Sequence, residues 1–174
     1  MPPPADSPTP ALVACLGPEG SFSHLLAGMR FPNTPVRLMA GIGEVFDFLA
    51  DAPEAQGIVP IENSSGGFII DTVDRLIDER CTLRIIEELT LDVRLALLGR
   101  AGAEVASIHS HAMPFFHCEE WLAANYPRAR RVVEASTAKA AEKAASLQSA
   151  AAIGPRQNAA LHALDILHFP IAGE

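Results

Sequence analysis

Short apolar runs alternate along the chain with longer segments in which apolar residues recur every three or four positions, the pattern of strands followed by helices. Runs at 12–16, 57–61, 93–98, 107–111, 131–134 and 151–154 predict strands. Phe68, Ile69, Thr72, Val73, Leu76 and Ile77 share one face of a helix over about 67–78, and this stripe is expected to be core. Pro114 suits a first helical turn; Trp121 and Leu122 continue its apolar face to about Asn125, where Tyr126-Pro127 ends the helix. Residues 137–149 are alanine-rich and strongly helix-forming. This alternation predicts an α/β protein. Around Glu87-Glu88 the run 83–98 holds two strand-like pieces, after which strand–helix units resume. Because parallel strands need long crossovers, the second cluster is expected to form a second lobe, with a hinge at the junction.

Composition narrows the picture. The chain has 174 residues, 49% of them hydrophobic, enough for one sizeable core but not for two ordinary independent domains. Lys and Arg number 13 against 21 Asp and Glu, a formal net charge of −8, so no basic surface for nucleic acid is expected. No apolar run approaches the roughly 18 residues that span a bilayer, so no membrane partner is expected either. Residues 1–10 hold five prolines and neither a basic nor an apolar leader region, which predicts a disordered tail rather than a secretory signal. Cys15, Cys81 and Cys118 are far apart and outside any C-x-x-C pattern; buried free thiols in a reducing cytoplasm are the expectation.

Four presumed strands run into loops rich in Gly, Ser, Thr or Asn and then into helices. They are Gly17-Pro18-Glu19-Gly20-Ser21-Phe22-Ser23, Glu62-Asn63-Ser64-Ser65-Gly66-Gly67, Glu134-Ala135-Ser136-Thr137 and Gly154-Pro155-Arg156. In a parallel sheet such loops lie at the carboxyl edge, where α/β proteins bind ligands, and helix N-termini there offer unpaired N–H groups to carboxylates or phosphates. A small anionic ligand follows, and the acidic net charge does not oppose it, because donors in contact outweigh a screened global field. The simpler reading of Ser21, Ser23, Ser64, Ser136 and Thr137 is helix capping, and of the glycines, turn formation. No loop fits the dinucleotide or Walker patterns.

The stretch from Ile108 to Cys118 gathers His109, His111, His117 and Cys118. In a strand His109 and His111 would share a face, but no ligand set of recognised metal spacing follows, so no metal is expected. Cys118 falls inside the expected helix rather than at its N-terminus, where a thiolate would be favoured, so packing is its expected role.

The motifs taken together resemble the prephenate dehydratase family. Leu16-Gly17-Pro18-Glu19-Gly20-Ser21-Phe22-Ser23-His24 is similar to that family's opening loop. Val59-Pro60-Ile61-Glu62-Asn63-Ser64-Ser65-Gly66-Gly67, followed by Thr72-Val73-Asp74-Arg75-Leu76, is similar to its most distinctive motif. Glu87-Glu88-Leu89-Thr90-Leu91, then Ser110-His111 with Cys118 and Trp121, then Ser136-Thr137-Ala138 follow in the family's order, and Ala151-Ala152-Ile153-Gly154 resembles the segment before a further helix. The resemblance covers nearly everything from residue 12 to 167.

The resemblance implies a two-lobed α/β domain like type II periplasmic binding proteins, lobe 1 over about 11–88 and lobe 2 over about 89–170, with the ligand in a cleft between lobes. It implies prephenate as substrate, converted to phenylpyruvate with loss of water and carbon dioxide in phenylalanine biosynthesis, without cofactor. By position, Asn63 and Ser64 would act beside the reacting groups, while Gly20, Ser21, Ser110, Ser136 and Thr137 would bind substrate; Glu62 would anchor its loop. A cytoplasmic homodimer fits the family. Two departures stand out. No Thr-Arg-Phe motif precedes Glu174, and the family's His-Pro-Gln after the serine reads His111-Ala112-Met113 here, a thioether replacing an amide donor. No ACT regulatory domain is expected. These departures keep two alternatives open: a prephenate decarboxylase of a secondary pathway, and a module that binds an anionic metabolite without turnover.

Overall fold

The computed structural model describes residues 9–64 and 66–171; all but Thr9 and Pro10 of the expected tail lies outside them, as does Ser65. The described chain forms two compact units. One holds the described residues up to Glu19 together with Ser23–Leu89; the other holds Gly20–Phe22 and the chain from Thr90 onward. The α/β class expected from the sequence is the class observed.

The first unit is built on a parallel sheet. Strands β1 (Leu12–Leu16), β2 (Val36–Met39) and β3 (Ala55–Ile58) lie in the order β2-β1-β3. Alternate residues of a strand face opposite sides, and both sides of β1 are covered. Val13 and Cys15 pack with Ala27 and Phe31 at helix α1 (Phe22–Arg30), whereas Ala14 packs with Met39 and with Val45 of α2 (Ile42–Asp51). Strand β2 was not expected: Arg37 interrupts its apolar residues, and only Met39 of its four residues is buried. Strand β3 starts two residues before the expected run and leaves its ladder at Val59.

After β3 a small hairpin, β4 (Glu62–Asn63) with β5 (Gly67–Phe68), precedes helix α3 (Ile70–Ile77). The expected helix from 67 therefore begins three residues later. Its stripe is not core: of the α3 residues only Thr72 is buried, while Phe68, Ile70 and Ile77 are 61–72% exposed. Polar anchors hold the helix instead. Thr72 Oγ1 donates to the Pro60 carbonyl at 2.6 Å, and Arg75 Nη2 donates to the Gly43 carbonyl at 3.2 Å and pairs with Asp47 at 2.9 Å. The strand-like piece before Glu87 also fails to form. Residues 83–94 pair with no strand among the described residues, and the apolar pattern alone does not supply a ladder partner. That segment is held by Glu87, whose carboxylate accepts from Arg30 Nε through both oxygens, and by Leu89, which packs on the α1 side of the sheet.

The second unit carries a mixed sheet in the order β10-β6-β9-β7-β8. Its strands are β6 (Leu95–Gly99), β7 (Ser107–Ser110), β8 (Arg130–Val133), β9 (Ala150–Pro155) and β10 (Asp165–His168). Strand β7 runs parallel to β8 and β9, while β6 runs antiparallel to β9 and β10. All six residues of the central strand β9 are buried. On one face Leu95, Leu97, Ile108 and Ile153 pack with Phe115, Cys118 and Leu122 from helices α4 (Ala112–His117) and α5 (Glu119–Asn125). On the other, Ala96, Leu98, Ala150 and Ala152 meet Ala140, Ala141 and Ala144 of α6 (Thr137–Ser146). Alanine on both surfaces lets helix and sheet approach closely. Helix α7 (Gln157–Leu161) and β10 complete the unit.

One expected helix is two here. It starts at Ala112 rather than Pro114, with His111 Nδ1 accepting from the Met113 N–H at 3.4 Å, and breaks at Cys118. Strand β10 was not expected, because three of its four residues are exposed and show no core pattern.

Candidate functional site

In the first unit the hairpin loop presents the residues expected to carry chemistry. Asn63 Oδ1 accepts the Gly66 N–H, which pins the carboxamide by its oxygen. The opposite, donating end of the amide is thereby oriented as well, because oxygen and nitrogen lie on opposite sides of Cγ. Asn63, Ser64 and Glu62 are all exposed. Gly67 takes a positive φ of 71°, which closes the turn at little cost for glycine. The base of the hairpin is fixed from both sides: the Ile69 N–H donates to the Ile61 carbonyl at 2.8 Å, and Thr72 holds Pro60. Thr72 of the Thr-Val-Asp-Arg-Leu motif thus supports the loop without belonging to it, and Arg75 ties α3 to α2.

In the second unit the other three candidate loops come together. Gly20 has φ +80°, and a Cβ placed there would lie 2.6 Å from Asn158 Oδ1. A Cβ placed on Gly154 would lie 3.2 Å from Thr137 Cβ and 3.9 Å from Asn158 Nδ2. Glycine at both positions is what permits the approach. Ser136 caps α6 by accepting the Lys139 N–H at 3.1 Å, and Thr137, the first residue of that helix, is buried. The start of α6 therefore lies against Gly154, which Asn158 also approaches, and an α-helix carries unpaired N–H groups and a partial positive charge at that end. Arg156, the cation of the fourth loop, lies over the Phe169 ring, 5.1 Å from its centroid. Asn158 escaped the sequence reading. Its signal in the sequence was weak: an amide beside Gln157, just ahead of the apolar run Ala159-Ala160-Leu161 and two residues past the Gly154-Pro155-Arg156 loop.

Ser110 is fully buried, and its hydroxyl donates to the Ile153 carbonyl at 3.0 Å, tying β7 to β9. The histidine pair does not form. His109 is 3% exposed, with Nδ1 2.9 Å from Glu134 Oε1 and Nε2 3.2 Å from Ser107 Oγ, whereas His111 lies beyond the strand and caps α4. Cys118 sits at the junction of α4 and α5, not inside one helix, yet burial pushes its thiol up to about 11, so it stays protonated at neutral pH.

Comparison with known proteins agrees with this fold. The family model described as prephenate dehydratase matches residues 13–174. The bifunctional chorismate mutase/prephenate dehydratase of Pseudomonas aeruginosa is 35% identical over 162 residues, which are 91% of this chain and 44% of that protein. The prephenate dehydratase of Mycolicibacterium vanbaalenii is 32% identical over 181 residues, 93% of this chain and 57% of that one. The chain thus spans about half the length of these relatives. Among solved structures, prephenate dehydratase from Arthrobacter aurescens in complex with L-Phe superposes with a TM-score of 0.84 at 24% identity, covering 94% of this chain and 56% of that chain, a likeness of fold.

Proposed function

Because the chain belongs to the prephenate dehydratase family, we propose that it serves the reaction of that family, the conversion of prephenate to phenylpyruvate in phenylalanine biosynthesis. The family match across residues 13–174 is the observation that carries this reading. In the reaction the bond to the ring carboxylate breaks and carbon dioxide leaves. Its electron pair enters the ring, and the ring hydroxyl departs as water after taking a proton. Aromatisation supplies much of the driving force, so the protein has chiefly to hold a dianion and assist one leaving group.

The proposed roles follow the chemistry of each group. Asn63 donates its amide to the departing hydroxyl or a neighbouring carboxylate, helped by Ser64; the hydrogen bond from Gly66 to Asn63 Oδ1 supports this orientation. Ser136, Thr137 and the first turn of α6 take a carboxylate, with Ser21 and the backbone at Gly20 beside them. Ser110 serves the substrate through its lone pairs, its proton being given to Ile153. No cofactor enters this chemistry.

The working form we propose is a cytoplasmic homodimer without membrane or nucleic-acid partners. The net charge of −8 and the lack of any described helix long and apolar enough to cross a membrane support the last two points. Phe68, Ile70, Ile77, Ile85 and Ile86 of the first unit, each more than 60% exposed, support the dimer.

Incubation with prephenate at neutral pH, with products resolved by mass spectrometry against an enzyme-free control, tests the reaction. Phenylpyruvate above the control is the expected outcome. A decarboxylated product that retains the ring oxygen would assign a decarboxylase instead, and saturable binding without product would assign a binding module.

A further inference from the structure

Asn158 has no exposed surface, and neither its Nδ2 nor its Oδ1 has a hydrogen-bond partner. Buried amides are ordinarily paired, because water has been given up and nothing else repays the loss. Its surroundings show what is missing. The Nδ2 end lies toward Gly154, which Thr137 at the start of α6 also approaches; the Oδ1 end lies against the Gly20 turn. An amide donor, a buried threonine and the N-terminus of a ten-residue helix thus gather around Gly154, and donors of these kinds suit an anion's oxygens.

We infer that Asn158 is a ligand-contact residue, its Nδ2 taking a carboxylate oxygen of the bound organic anion together with Thr137 and the first turn of α6. The Oδ1 end takes an O–H or N–H from the ligand or from the Gly20–Phe22 turn as that turn adjusts. The inference rests on the functional reading above for the identity of its probe, prephenate. It also explains why a buried amide without a partner is kept: the ligand completes it.

The test separates binding from stability, which a structural amide would move together. In the full chain, Asn158→Ala is expected to weaken prephenate binding at least fivefold by calorimetric titration. Its thermal midpoint without ligand should fall by less than about 2 °C, because no hydrogen bond is lost in the unliganded protein. Asn158→Asp is expected to weaken binding at least tenfold at pH 7, since a carboxylate there repels the ligand's own. Prephenate affinity unchanged in both variants, or a clear fall in midpoint with affinity retained, overturns the inference and leaves the functional reading standing. Wild-type protein that fails to bind prephenate at millimolar concentration overturns both.

Discussion

Single residues in this chain are defined by what their polar atoms already hold. Asn63 has its oxygen taken by Gly66, so its replacement should remove a donor from the chemistry without loosening the core. Asn63→Ala is expected to lower kcat at least tenfold, about 1.4 kcal/mol of transition-state stabilisation, with the unfolding midpoint unchanged; equal turnover would remove Asn63 from the mechanism. The cysteines give a second prediction. Burial pushes Cys15 and Cys118 up to about 11, so both are protonated at pH 8 and gain thiolate only as pH approaches that value. Cys81, partly exposed, should be the first thiol modified by a disulfide reagent in native protein, the other two reacting only on unfolding or in strong alkali. At this scale the sequence was informative about caps and poor about partners. The Ser136 cap could be read from Ser-Thr before an alanine-rich run. That Ser110 spends its proton on Ile153, and that Asn158 lies buried against Gly20, depend on residues 43 and 138 positions away.

Among the elements, α3 shows most clearly where periodicity stops being informative. A helical stripe tells which residues share a face, but whether that face is covered depends on what lies opposite, and here mostly polar anchors hold the helix while its apolar ends stay exposed. Thr72→Val preserves shape while leaving the Pro60 carbonyl without its donor, and should destabilise the chain by about 1–3 kcal/mol in denaturant titration. A loss below a few tenths of that would show that the hairpin base is held elsewhere. Strands β1, β6 and β9 were legible because they carry apolar runs that end up buried. Strands β2 and β10 were not, because half or more of their residues face solvent and they owe their place to a neighbouring ladder.

For the whole molecule, the α/β class could be read from the alternation of runs, whereas the route of the chain between its two units could not. Residues 79–94 form no described helix or strand, and Arg84 is exposed within them, while Arg80 is bonded to Asp78. Limited trypsin digestion should therefore cut first after Arg84, giving residues 1–84 and 85–174 by mass spectrometry; early cleavage inside α6 or β9 would contradict this assignment of order. The proposed homodimer makes a separate claim. Ile77→Glu and Ile86→Glu each place a charge on the exposed apolar surface and should shift sedimentation from dimer to monomer. A wild type that sediments as a monomer at micromolar concentration would dismiss that surface as an interface.

The excursion of Gly20–Phe22 into the second unit also sets an order in time. A ribosome adding about 5–20 residues per second releases that turn roughly 7–27 s before it makes Asn158, the residue against which Gly20 rests. Throughout that interval β1 and α1 can assemble with β2 and β3, but the link between them has nothing to lean on. A nascent chain stalled short of Asn158 would carry a completed first sheet joined to its first helix by an unset turn, and protease sensitivity at Glu19-Gly20-Ser21 would report how far synthesis had gone.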